Sequence, residues 1–599
     1  MMSRLTKIGD WIDERAGHRK LLHEMLDEPV VGGARWAYVF GSALTITFMI
    51  QAVTGILLMT GYAPSSTTAW ASVHYISFVA TGGWLIRGLH HFGSQAMIVL
   101  CGLHLFQVAI FGAYKRPREM NWWFGLLLMA MTLGFGLTGY LLPWDQKGYW
   151  ATQVATNIAG TSPGIGPQLQ LLMQGGAEYG NLTLTRFYAL HVGVLPASLA
   201  IVLVAHILLF RKHGVTPPAN ADKAVVDPFY PKQVWKDLVA GLVVLAVLFW
   251  LAVRDHGAPL DAPADPSSDY PARPEWYFLP LFQLLKYFHG PLEMVGTMGI
   301  PAIAALYLVL LPIFDKKETT ALGPRLRLLT PLFLGAIGIV ILTTLSMRSD
   351  AADAKFQASR AVADRRAHVA VELAKKGVPP SGPLDMLKND PELRGEAIFT
   401  KNCAVCHVLG ELGDKKKAKA PTLDGWGTEA WILQMMHDPD ADTHFGNTPY
   451  AGQMPSMDVP GKEPKDFKPM AKDDMRAAAV FLASQGDEPT DSPAAPHRDD
   501  VLKAKGEKVV SDRCTACHLY KGEGDDGGQE LAPELSGYGS VRWVTSQITN
   551  PATKATYRDK ALDPAMKGHM PRFDDQLSAA DIDLVARWTR AHARGIGLR

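Results

Sequence analysis

Four of the five cysteines fall in two Cys-x-x-Cys-His pentads, Cys403-Ala-Val-Cys406-His407 and Cys514-Thr-Ala-Cys517-His518. This spacing lets both thiols form thioethers to the vinyl groups of a heme while the adjacent imidazole ligates its iron from one face. A zinc site would need two more ligands per pentad, and a thioredoxin-like pair would need a strand–helix–strand setting, so both are the weaker readings. The fifth cysteine, Cys101, lies in an apolar stretch and reads as an inert buried thiol.

Four histidines carry a second kind of heme chemistry. His90 and His104 are 14 residues apart, and His191 and His206 are 15 apart. Each interval is close to four helical turns, so each pair shares a helix face at a separation of about 21 to 22 Å. Two facing helices with matched pairs can clamp two porphyrins by bis-imidazole ligation, His90 with His191 and His104 with His206. A proton-relay or interhelical role would suit one such histidine better than four at matching depth. His91 is also near helical phase with His104; His90 is preferred because its interval better matches that of the partner helix. Gly41 and Gly55, and likewise Gly125 and Gly139, repeat the 14-residue interval, and glycine allows the backbone to approach flat macrocycles closely.

The elements that hold these residues are apolar. Seven stretches suffice to cross a bilayer: Tyr38–Gly61, Leu85–Phe111, Trp122–Leu142, Phe187–Phe210, Val234–Val253, Leu292–Phe314 and Leu328–Met347. The 599-residue chain carries 59 Lys and Arg against 58 Asp and Glu, a balance that excludes a dedicated nucleic-acid binder. No cleavable signal peptide is expected before Tyr38, and Trp11–Leu26 has the mixed pattern of a surface or solvated helix. Basic residues cluster on alternate loops, including Lys115, Arg116 and Arg118, then Arg211 and Lys212, then Lys316 and Lys317; the other loops hold little beyond Lys147, Arg254 and Arg273. The positive-inside rule then puts the N-terminus in the cytoplasm (the n side) and everything after Met347 on the outer, p side of a bacterial cytoplasmic membrane.

Residues up to Met347 resemble cytochrome b of the cytochrome bc complexes. The resemblance rests on Gln51-Ala-Val-Thr-Gly55, Arg87-Gly-Leu-His90, Gly139-Tyr-Leu-Leu-Pro-Trp144, Thr183-Leu-Thr-Arg-Phe187 and Pro274-Glu-Trp-Tyr277. It implies a p-side quinol-oxidation pocket in which Glu275 accepts a proton, with Tyr277 and Tyr140 nearby. Arg87 and Arg186, near the p ends of their helices, are candidates to pair with heme propionates. Asp237 matches the acidic n-side proton donor of the respiratory branch, with His213, Arg211 and Lys232 as further candidates. The His191–His206 interval, the Arg211-Lys-His213 segment and the lack of an eighth span resemble the plastoquinol-oxidising branch. That branch attaches an extra heme through a cysteine where this chain has Val39, so no such heme is expected.

The polar part is an internal repeat. Gly395-Glu, the first pentad, Ala420-Pro and Met454-Pro455 are echoed by Gly506-Glu, the second pentad, Ala532-Pro and Met570-Pro571. Each copy resembles a class I cytochrome c domain, which implies Met454 and Met570 as sixth iron ligands; Met457, Met470 and His569 remain competitors. The expected fold is all-α: a seven-helix transmembrane cytochrome b bundle followed by two small all-α cytochrome c domains. The expected divisions are an n-side segment at 1–35, a four-helix b-heme domain at 36–215 and a three-helix domain with the Pro274–Tyr277 loop at 216–347. A connector at 348–388, a first cytochrome c domain at 389–485, a linker at 485–496 and a second cytochrome c domain at 498–599 follow.

The resemblance implies a quinol:cytochrome c oxidoreductase subunit that takes quinol from the membrane pool. One electron of each quinol would cross through two b-type hemes to n-side quinone. The other would pass to a Rieske iron–sulfur protein, then through two c-type hemes to a cytochrome c or terminal oxidase. The Rieske cluster must lie in a separate subunit, because this chain's paired cysteines are committed to heme. A homodimeric complex is also implied. The rival readings are a diheme b-type anchor for another dehydrogenase, or a heme-free transporter or sensor bundle with a redox tail.

Overall fold

The computed structural model describes residues 2–17, 19–20, 26–448, 450–459, 468–486, 499–524, 532–553, 556 and 570–598. His569 and nearly all of the expected linker lie outside the described residues. The chain divides into two compact units, Met1–Leu387 and Lys388–Arg599.

Among the described residues, the first unit contains seven helices long and apolar enough to cross a membrane. They are α1 (Trp36–Met59), α2 (Gly83–Phe111), α3 (Glu119–Tyr140), α4 (Asn181–His213), α5 (Phe229–Arg254), α6 (Val295–Phe314) and α7 (Leu322–Ala352). Helices are the form in which an apolar run satisfies its own backbone polar groups in lipid. Glycines in the left-handed region delimit α2, with φ of 72° at Gly82 and 67° at Gly112, a conformation that disfavours a side chain. Helices α1 to α4 pack in sequence, and α5 packs against both α1 and α2. Gly88 permits the last approach, since a Cβ there would lie 2.8 Å from the Cβ of Ala252. The helix of α7 runs five residues past the apolar stretch that ends at Met347, because hydropathy marks the lipid boundary rather than the helix end. A connector helix, α8 (Ala354–Ala374), follows directly.

Two features tie the loops of this unit, a short strand pair and a buried polar network. Pro29–Val31 pairs antiparallel with Val226–Pro228, with Val30 opposite Asp227. Arg325 is almost fully buried and donates to Asp315 at 2.9 Å, while Lys115 pairs with the same carboxylate at 2.7 Å. Tyr114 also donates to Asp315, at 2.6 Å, so the ends of α2, α6 and α7 are joined through one satisfied network.

The second unit contains α9 (Pro391–Asn402), α10 (Glu429–His437), α11 (Lys472–Gln485), α12 (Asp500–Arg513), α13 (Val541–Thr549) and α14 (Ala579–Ala593). Both repeats build their middle helix alike: Thr428 accepts from the Trp431 amide and Ser540 from the Trp543 amide, N-caps that satisfy first-turn donors. The outer helices, however, are exchanged. The first helix of the first repeat, α9, crosses the last helix of the second, α14; α11 crosses α12 in the same way. Gly395 sits against Trp588, where a Cβ would come within 2.5 Å of the ring, and Gly506 sits against Phe481. Arg394 pairs with Asp581 at 2.7 Å and Lys505 with Asp474 at 2.8 Å across the same two crossings. One hydrophobic core therefore runs through both repeats and includes Phe399, Trp431, Val510, Trp543 and Trp588.

Candidate functional site

Inside the bundle α2 and α4 bring the four histidines into two facing pairs. The ring centres of His90 and His191 are 6.3 Å apart and those of His104 and His206 are 6.5 Å apart. An iron held between two imidazoles separates their ring centres by about 6.4 Å, from two metal–nitrogen bonds of about 2.0 Å and about 1.2 Å from each nitrogen to its ring centre.

The hydrogen bonds fix which nitrogen is available. The Thr54 hydroxyl donates to the Ile50 carbonyl at 2.6 Å, so its oxygen accepts from Nδ1 of His90, at 3.0 Å. Thr138 repeats the arrangement, donating to the Gly134 carbonyl and lying 3.0 Å from Nδ1 of His191. Nδ1 of His206 donates to the Asn121 carbonyl at 3.0 Å. Three of the four imidazoles thus keep their proton on Nδ1 and offer the Nε2 lone pair to a metal.

Each glycine of the two 14-residue intervals faces one of these rings. A Cβ at Gly41 would meet His104 at 3.4 Å, one at Gly55 would meet His90 at 3.2 Å, and one at Gly125 would meet His206 at 3.3 Å. At Gly139 the approach to His191 would be 2.5 Å. Ring separation, proton placement and glycine cradles together fit bis-imidazole heme. His91, the alternative on α2, instead lies 3.0 Å from the Gln95 amide nitrogen.

The two pentads show matching local geometry. Nδ1 of His407 donates to the Pro421 carbonyl and Nδ1 of His518 to the Pro533 carbonyl, each at 2.9 Å. Burial depresses the pKa of both imidazoles, which keeps them in the neutral form that ligates iron. Burial also pushes the Cys403 thiol up to about 12 and the Cys514 thiol up to about 11. Met454, Met457 and Met570 line the shared core, partly buried, whereas Met470 is enclosed within it. The Gln547 amide donates to Sδ of Met570 at 3.7 Å.

A third cluster lies beyond the end of α3. Glu275 pairs with Lys147 at 2.7 Å, and the Lys147 ammonium stands 5.5 Å from the centre of the Tyr140 ring. The Tyr140 hydroxyl is buried with no hydrogen-bond partner among the described residues. Trp276 donates to Gln95 at 3.2 Å, and a Cβ at Gly136 would lie 3.2 Å from the Tyr277 hydroxyl. Arg273, just before the motif, holds Asp350 of α7 through two bonds of 2.9 Å.

Other sequence candidates are engaged with protein. Arg87 donates to the carbonyls of Ala258 and Pro259, at 2.7 and 2.6 Å, and Arg186 to that of Leu172. At the N-terminal end Asp237 is buried and accepts from Gln233 at 2.8 Å. Arg211 pairs with Glu28, and Lys232 with Asp227. Sequence reasoning missed Thr54, Thr138 and the partner of Glu275. The threonines had a readable signal, because each directly precedes a cradle glycine in a Thr-Gly pair.

The family model described as Cytochrome b(N-terminal)/b6/petB matches residues 95–263, and that described as Cytochrome b(C-terminal)/b6/petD matches 263–362. Cytochrome c matches twice, at 393–486 and 503–592. A cytochrome bc complex cytochrome b subunit from Chlorobaculum thiosulfatiphilum is 36% identical over 288 residues, covering 47% of this chain and 67% of the relative. The chain belongs to the cytochrome b family. Cytochrome b6 of Synechococcus elongatus is 39% identical over 214 residues, which is 36% of this cytochrome b and all of the relative. A solved structure titled Hyperthermophilic respiratory Complex III matches 59% of this chain and 93% of its own, at 29% identity and a TM-score of 0.51. This cytochrome b is thus a multi-pass membrane protein fused to two cytochrome c segments, which together imply b-type and c-type heme.

Proposed function

We propose that this chain is the cytochrome b/c subunit of a proton-motive quinol:cytochrome c oxidoreductase. His90 and His191 hold one b-type heme, and His104 and His206 hold a second. His407 with Met454, and His518 with Met570, ligate two covalent c-type hemes anchored at Cys403, Cys406, Cys514 and Cys517. Bound heme supplies one-electron carriage along the bundle and within the tail. The observation that carries this reading is the two pairs of facing imidazoles at 6.3 and 6.5 Å, on a bundle in which Gln95 of α2 accepts from Trp276, next to Glu275.

The chain's own groups manage the protons. Glu275 accepts a proton from a quinol hydroxyl at the p side, beside Tyr140 and Tyr277. Asp237, buried near the other end of the bundle, delivers a proton toward quinone at the n side. The N-terminus is cytoplasmic and the cytochrome c segments are periplasmic, a reading that the loop charges support. The partners are a separate Rieske protein, which takes the first electron, and a cytochrome c or terminal oxidase, and the complex is a homodimer.

The test is the intact membrane complex, assayed for quinol-dependent cytochrome c reduction. It should co-purify with a Rieske protein, and Glu275→Gln should lower kcat by roughly two to four orders of magnitude, the usual worth of a positioned proton acceptor. A complex that carries b heme but no Rieske partner, and that is indifferent to Glu275→Gln, would belong to a diheme anchor of another dehydrogenase.

A further inference from the structure

Lys147 entered the sequence reading only as a stray outer-loop charge, yet the fold places it with care. It opens a helix, Gln146–Gly160, whose N-cap Asp145 is buried and accepts from the Gly148 amide at 2.8 Å. A Cβ at Gly148 would collide with the Tyr140 carbonyl, so the absence of a side chain there lets this helix seat directly beneath the end of α3. Trp144 makes the turn with a φ of 50°, a left-handed value that is rare for a bulky residue and adopted here where the chain reverses. The side chain that results spans the cluster. Its ammonium meets Oε1 of Glu275 at 2.7 Å and stands over the Tyr140 ring, with the side chains 27% and 12% exposed for Lys147 and Glu275.

An ion pair this sheltered is poorly screened and orients both partners. The carboxylate of Glu275 would otherwise be free to rotate about three torsions. Around it stand His91 from α2, Tyr140 from α3 and Tyr277 from its own loop, none of which supplies a second cation at hydrogen-bond distance.

We propose that Lys147 is a positioning residue of quinol oxidation, holding the Glu275 carboxylate aimed beside the Tyr140 side chain before substrate arrives. This rests on the reading of the Glu275 cluster as the quinol-oxidation pocket. In the step itself the O–H bond of the quinol breaks and an O–H bond forms on Glu275, while the electron leaves to the Rieske iron–sulfur protein. The neutral acid no longer attracts the ammonium as an anion does, so proton uptake unlatches Glu275 and frees it to turn and pass the proton outward. Lys147 thereby sets both the waiting position of the acceptor and the moment of its release.

The test is a double-mutant cycle in the assembled complex. Lys147→Met should lower kcat for quinol oxidation by about ten- to a hundredfold, the usual consequence of a misplaced reacting group, with a smaller change in KM. Lys147→Arg should restore most of it. In a Glu275→Gln background Lys147→Met should change little further, because the pair is already broken. Equal losses in both backgrounds overturn the positioning role, as does a Lys147→Met complex with wild-type kcat. If Lys147→Met fails to assemble, Lys147→Gln and Lys147→Arg give the same comparison, and equal activity of those two contradicts the proposal. If Glu275→Gln alone has no effect, the pocket reading fails, which is a separate result.

Discussion

A methyl group at Gly139 would come within 2.5 Å of the His191 ring, whereas one at Gly102 of the neighbouring helix would meet nothing within 4 Å. Overpacking of that kind costs about 1–3 kcal/mol and falls here on a ligand. Gly139→Ala should therefore remove or shift roughly half of the b-type α-band in reduced membranes, with Gly102→Ala unchanged; two identical spectra would contradict the cradle. His74 offers a pH test at the same scale. Its Nε2 lies 3.2 Å from the Val371 carbonyl of α8, its ring stacks on Trp70, and burial holds its pKa below the ordinary 6.5. The unfolded chain takes up that proton near 6.5 and the folded chain only at lower pH. The stability it contributes is thus present above 6.5 and lost as pH falls through the folded value. Amide exchange in α8 should be several-fold faster, relative to intrinsic rates, at about pH 5 than at about pH 7.5, and His74→Gln should flatten the difference. At this scale the sequence displayed most of the chemistry: pentads, histidine intervals and cradle glycines stand in the chain with their spacing intact. The Lys147–Glu275 pair did not, because its partners are 128 residues apart and meet only through a turn and a capped helix.

Helices were legible where periodicity and hydropathy mark them, and their pairing was less so. Each cytochrome c repeat has a glycine on its first helix and an aromatic on its last, so Gly395 can meet Phe481 or Trp588 with similar local chemistry. Nothing in a one-dimensional pattern separates the two pairings; the fold takes the crossed one, α9 on α14 and α11 on α12. The crossing makes the repeats interdependent. Gly395→Leu would force α14 away from α9 at a cost of about 1–3 kcal/mol. With Met454 and Met570 as the proposed iron ligands, the visible and near-infrared Met–iron bands of both c hemes should then melt at one lowered temperature. A variant in which only the first repeat loses its band would show that the repeats respond separately.

For the molecule as a whole, composition averages an apolar part and a charged part, whereas the boundary between the two compact units falls at Leu387, after the charged connector helix α8. The bundle places two imidazole pairs along its length and a carboxylate cluster beyond the end of α3. Arg273 ties that cluster to Asp350 in the last span, directly before the connector helix α8. The division of labour follows from the solvents. Histidine pairs suit a lipid-embedded scaffold in which imidazoles are held by hydroxyls and carbonyls, and covalent pentads suit two small helical repeats that share a single core. The central claim is that one polypeptide carries both kinds of heme, two of each. A dithionite-reduced pyridine hemochrome spectrum of the purified chain tests it most directly by counting b-type and c-type heme separately. Two b and two c hemes per chain is the predicted result. Two c hemes with no b heme would contradict it and return His90, His104, His191 and His206 to a structural or proton-relay role.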